Sequence, residues 1–129
     1  MRQLRRATVL GTGMFLPEKR LTNFDLEKMI DTTDEWIITR TGIRERRIVE
    51  PHQKLSDLAV PAGRMAIENS GIPPEKIGAV ILATFTPDRW ISATACLVQD
   101  KLGCKNACAM DIETACSGFV YSTTIASNF

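Results

Sequence analysis

The chain has 129 residues, 44% hydrophobic and 24% charged, which is ordinary for a globular domain and long enough to bury a core without disulfides or metals. Sixteen basic against fifteen acidic residues leave a formal net charge of +1, a balance that excludes an electrostatic footprint for nucleic acid or an anionic membrane surface. No apolar run approaches the ~18 residues of a spanning helix, and the basic Met1–Arg6 stretch leads into an apolar run broken by Gly11 and Gly13 rather than a signal-peptide core, so the expected location is the cytosol.

Ala7 to Thr12 reads as a first strand, ended by Gly11-Thr12-Gly13. Thr22 is placed to cap a short helix through about Ile30, with Leu26, Met29 and Ile30 at helical spacing. Thr33 is placed to cap a second, with Asp34 and Glu35 in its dipole-favoured first turn and Gly42 as its stop. Arg40, Arg44, Arg46 and Arg47 cluster here, opposed only by Glu45, and read either as a solvated basic face or as a local site for a phosphorylated ligand. Glu45 to Val49 is a candidate extended segment, and Pro51 to Lys54 a polar loop.

Ser56 is expected to cap a longer helix to about Ser70, closed by Gly71, with Leu58, Ala62, Met65, Ala66 and Asn69 on one stripe. Pro61 falls inside it and is expected to kink its first turns or delay its start. Pro73-Pro74 marks a turn. Ala79 to Thr84 is a continuous apolar run, the pattern of a strand covered on both faces. Thr94 to Leu102 reads as a helix stopped by Gly103, Ala107 to Ile112 as a strand, and Ser117 to Phe129 as a helix. This alternation favours an α/β layout, and a chain that stops at its last helix suggests truncation.

Four cysteines, Cys96, Cys104, Cys108 and Cys116, lack the Cys-x-x-Cys pairs of common zinc sites and lie far from His52, so no metal site is expected and the thiols should be reduced. Cys116 differs from the others in its setting. It stands in Asp111-Ile112-Glu113-Thr114-Ala115-Cys116-Ser117-Gly118-Phe119, where an apolar strand runs into a helix of small residues. A thiol at such a junction faces free N–H groups and the positive end of a helix dipole, which favours the nucleophilic thiolate, and its own N–H can help hold an oxyanion. A buried structural cysteine is the competing reading at such a junction.

The segment DIETACSGF resembles the nucleophile motif of the 3-oxoacyl-[acyl-carrier-protein] synthase III family. Asp31 to Arg46 (DTTDEWIITRTGIRER) resembles that family's coenzyme A recognition segment, and Thr86-Pro87-Asp88 through Cys96 lies between the two as the family pattern requires. Gly11-Thr12-Gly13 and Leu16-Pro17 agree as well. The resemblance runs almost end to end.

It implies a thiolase-like α/β fold, with residues 1–129 forming an N-terminal condensing-enzyme domain that is an incomplete first half of a twofold-repeated architecture. It implies that Cys116 takes an acyl group from acyl-CoA, commonly acetyl-CoA, and that malonyl-acyl-carrier protein then condenses with loss of carbon dioxide. Trp36 matches the residue that stacks on the CoA adenine, Arg40 an arginine at the nucleotide end, and Thr32 a hydroxyl near the adenine. No cofactor is implied, since acyl-CoA is a substrate. The full-length form is implied to be a homodimer without nucleic-acid or membrane partners.

Ile91 occupies the place of an aromatic residue that shapes the neighbouring subunit's acyl pocket, with Trp90 before it and Ser92 after it, which leaves the primer length open. Thr114, Phe85 and Pro61 also depart from the family pattern. The family's oxyanion-stabilising His and Asn have no counterpart here: His52 stands in a polar loop and does not match. The alternatives are a non-catalytic fragment that folds only with a partner chain, another thiolase-fold acyltransferase, or a redox or metal-binding cysteine module.

Overall fold

The computed structural model describes residues 7–129, which form two compact units: Leu16–Gln53, and the residues up to Phe15 together with Lys54–Phe129.

In the smaller unit, β1 (Arg20–Thr22) pairs antiparallel with β2 (Glu45–Arg47), Arg20 opposite Arg47 and Thr22 opposite Glu45. Two helices fill the connection, α1 (Asn23–Glu27) and α2 (Asp34–Thr41). Thr22 caps α1 in a reciprocal box: its hydroxyl accepts from the Asp25 N–H at 3.2 Å, while the Asp25 carboxylate accepts from the Thr22 N–H at 3.1 Å. Thr33 caps α2 by accepting from the Trp36 N–H at 3.1 Å, and Gly42, at φ 71°, ends it in the left-handed conformation. Both starts agree with the sequence reading. The first helix is shorter than the expected run to Ile30, because Lys28 forms its C-terminal cap. Three-residue β1 carries no sequence signal of its own and exists through its pairing with β2.

The larger unit begins its regular structure with α3 (Leu55–Ser70), followed by a tight helical turn at Pro74–Lys76, β3 (Ala79–Ala83), α4 (Thr94–Leu102), β4 (Cys108–Ile112), a second tight turn at Ala115–Ser117, and α5 (Gly118–Ala126). β3 and β4 are parallel, in register from Ala79 opposite Cys108 to Ala83 opposite Ile112, with α4 as the crossover. The core gathers around α4: Val98 and Leu102, with Cys104 just beyond, pack against Ala59, Val60 and Ile67 of α3 and Val80 and Leu82 of β3. β3 is half-buried along most of its length rather than fully covered on both faces.

Three expectations fail here. Residues 7–12 are not a strand: no described strand pairs with them. They run instead along α3, so closely that a Cβ on Gly11 would lie 2.4 Å from the Ala66 carbonyl oxygen and one on Gly13 2.0 Å from that of Ala62. Ser56 is not the cap of α3. The helix starts one residue earlier, after Lys54, whose N–H donates to the Asp57 carboxylate at 3.0 Å. Ser56 is buried, its N–H donating to Asp88 Oδ1 at 3.1 Å. Of the two effects expected of Pro61, a delayed start does not occur, since the helix begins six residues before it. The stripe through Ala62, Ala66 and Asn69 meets residues 11–13, with Asn69 Nδ2 donating to the Thr12 carbonyl at 2.7 Å, whereas the core face runs through Ala59, Val60 and Ile67.

Candidate active site

Cys116 sits where the carboxyl end of parallel strand β4 turns into α5, the end of a strand at which open α/β sheets place their ligands. The turn is sharp. Ala115, the residue before the thiol, has φ 45°, a left-handed conformation that costs a residue with a Cβ of order 1–3 kcal/mol. The Ser117 N–H closes the turn onto the Thr114 carbonyl at 3.0 Å. Cys116 is left exposed. α5 then starts hard against β3: a Cβ on Gly118 would stand 2.6 Å from the Ala83 Cβ, so only glycine lets the helix, and the thiol before it, lie this close to the sheet.

The other three cysteines, lacking this setting, read from the sequence as core residues; that holds for Cys104, which is buried, and fails for Cys96 and Cys108, which are exposed. Burial, and after it the Glu75 carboxylate, push the Cys104 thiol above its ordinary value, which suits an inert core residue.

Asp111, five residues before Cys116, has a structural role that no local pattern marks. From β4 its two carboxylate oxygens accept the N–H groups of Thr94 at 2.7 Å and Ala95 at 2.8 Å, capping α4, whose preceding residue Ala93 offers no side-chain cap. Nothing local announces this bond, because it spans 17 residues.

The β3–α4 loop holds Ile91. Asp88 pins it by donating its N–H to Thr94 Oγ1 at 2.9 Å and by accepting from the Ser56 N–H. Beyond that anchor Trp90 and Ile91 are 93% and 85% exposed, and Ser92 takes φ 77° to bring the chain back.

In the smaller unit the structure brings Trp36, Arg40 and Thr32 together. The Arg40 guanidinium lies over the Trp36 ring, 4.9 Å from its centroid, as the four-residue spacing on α2 allows. Two shallow recesses meet at Trp36. One, of about 330 Å³, is lined by Thr33, Glu35, Trp36, Thr39 and Arg40. The other, of about 420 Å³, is lined by Ile30, Asp31, Thr32, Thr33 and Trp36. Half-exposed indole, guanidinium and hydroxyl thus share one surface, a combination suited to a flat base with phosphate attached. His52 is exposed in the loop after β2.

Among the described residues no helix is long and apolar enough to cross a membrane. No family model matches the chain. It is 57% identical over 123 residues to the β-ketoacyl-[acyl-carrier-protein] synthase III of Caldanaerobacter subterraneus subsp. tengcongensis, covering 95% of this chain and 37% of that protein. Its fold is similar to the crystal structure of 3-oxoacyl-[acyl-carrier-protein] synthase III from Aquifex aeolicus, with a TM-score of 0.88 and 49% identity over 93% of this chain and 39% of that one. It is similar to the priming β-ketosynthase of the R1128 polyketide pathway at the same TM-score of 0.88 and 38% identity, over 93% of this chain and 36% of that one. The chain spans about two fifths of the length of the relatives it matches. In sequence and in its thiolase-like α/β fold, this chain is similar to β-ketoacyl-[acyl-carrier-protein] synthases III over about two fifths of their length.

Proposed function

We propose that this chain is the nucleophile-bearing portion of an initiating condensing enzyme of fatty acid synthesis. The observation that carries the reading is the exposed Cys116 thiol on a strained turn at the carboxyl end of β4, in a chain similar throughout to synthases of this type. Cys116 attacks the carbonyl of an acyl-CoA; the thiolate of coenzyme A leaves, and the acyl group stays on the cysteine sulfur. Malonyl-acyl-carrier protein then loses carbon dioxide, its carbanion attacks the acyl thioester, and the Cys116 thiolate departs as the 3-oxoacyl product forms.

The stack of Trp36 and Arg40, with Thr32 beside it, holds the nucleotide end of coenzyme A. Ile91, exposed on its loop, contributes to the acyl pocket of a dimer. No cofactor takes part, because acyl-CoA is itself consumed. The decarboxylation step needs oxyanion donors, and His52 does not match the family's histidine, so residues 1–129 alone do not condense.

Incubating the full-length protein with acetyl-CoA and measuring its intact mass tests the first step. One acetyl adduct, absent from Cys116→Ala, is the expected result. An adduct that survives this substitution would assign the chemistry to another residue.

A further inference from the structure

Asn23 is completely buried, the largest such side chain among the described residues, and all its polar atoms are used. Its Nδ2 donates to Asp34 Oδ1 and to the Ile43 carbonyl, each at 2.8 Å. Its Oδ1 accepts from Arg46 Nη1 at 2.8 Å. A carboxylate and a carbonyl on one side and a guanidinium on the other allow only this orientation of the carboxamide. Its backbone N–H donates to the Arg44 carbonyl at 3.2 Å.

The partners have a pattern. Asp34 is the first residue of α2, and Ile43 lies just past Gly42, the residue that ends it. One buried carboxamide therefore grips both ends of the helix that carries Trp36 and Arg40, and through Arg46 ties it to β2. A second bond reinforces the N-terminal grip: the Asp34 N–H donates to Glu27 Oε1 at 2.6 Å. Few apolar contacts anchor this helix, since Ile37 is its one buried residue.

We propose that Asn23 is a positioning residue for the nucleotide-binding surface, setting the angle at which α2 presents Trp36 and Arg40 without touching the ligand. This rests on the reading of that surface as the coenzyme A site. Asn23 differs from a general packing residue in that its contacts converge on one helix, so its loss should harm recognition of the nucleotide and spare the chemistry at Cys116.

The test uses the full-length protein and two acyl donors, acetyl-CoA and S-acetylpantetheine, which lacks the nucleotide. Asn23→Ala should raise KM for acetyl-CoA about ten- to a hundredfold, the range set by leaving buried polar partners unmatched, with kcat and the reaction of S-acetylpantetheine little changed. Combined with Trp36→Ala, it should add nothing further, because both act through one surface.

Asn23→Asp sets two carboxylates together and should be as damaging, while Asn23→Asp with Asp34→Asn should recover part of the loss. That rescue also keeps the idea testable if the alanine variant does not fold. Equal losses on both donors, multiplicative effects with Trp36→Ala, or no rescue would overturn the proposal. If Trp36→Ala leaves KM for acetyl-CoA unchanged, the coenzyme A reading and this proposal both fail; a normal Trp36 effect beside a silent Asn23→Ala overturns only the latter.

Discussion

Asp111 shows how much one side chain contributes across distance. It lies five residues before the thiol, yet its carboxylate completes the start of α4 by taking two N–H groups that nothing local satisfies. Asp111→Ala should therefore lower the stability of the full-length protein by about 1–3 kcal/mol, the cost of losing a charged cap, with Asp111→Asn costing less. Thermal unfolding of both variants beside the parent checks this, and a parent-like midpoint for the alanine variant would contradict it. The thiol itself was legible from its neighbours, since strand, small residues and helix follow one another in the chain. The grip of Asn23 was not, because its partners are distant in sequence.

At the scale of elements, what the sequence disclosed was the chemistry of helix ends. Thr22, Thr33, Gly42, Gly71 and Gly103 act within a turn of where they stand, and all five mark the boundaries observed. Strands were less legible. Residues 7–12 have strand-like composition without a strand beside them, and β1 has a strand partner without strand-like composition. Pairing, not propensity, decides both cases.

Two of the caps are acidic and titrate. The Thr22 hydroxyl, then its N–H, and Lys28 hold the Asp25 carboxyl below the ordinary value of 3.8. The Lys54 N–H, then Lys101, do the same for Asp57. A carboxyl depressed in the folded state stabilises above its unfolded value, and that contribution fades as pH falls through the lower folded value. The first turns of α1 and α3 should accordingly fray at acidic pH before the core opens. Hydrogen exchange at the Thr22 and Lys54 amides would show it, and protection unchanged down to the pH of global unfolding would refute it.

For the molecule as a whole, the apolar surface left uncovered bears on how the 129 residues behave alone. Phe119, Val120 and Tyr121 on α5 are all more than half exposed, as are Phe24, Met29 and Ile30 around α1. Soluble monomers seldom show so many large apolar side chains in clusters, while the buried apolar residues among the described ones are few: Ala95, Val98, Leu102 and Cys104 in and beside α4, and Ile37 on α2. Expressed by itself, residues 1–129 should self-associate, as sedimentation velocity would reveal. A stable monomer would show that these faces need no cover.

The chain's two tryptophans fall one in each unit, Trp36 on α2 and Trp90 on the β3–α4 loop, and both are solvent-exposed. This gives the protein a built-in optical probe. Trp36 already lies against a cation, so a base that stacks on its ring must alter its emission intensity, whereas Trp90 senses only the mobility and covering of its own loop. With Trp90→Phe, the remaining fluorescence would report occupancy of the proposed nucleotide surface alone, with no label attached and no turnover required.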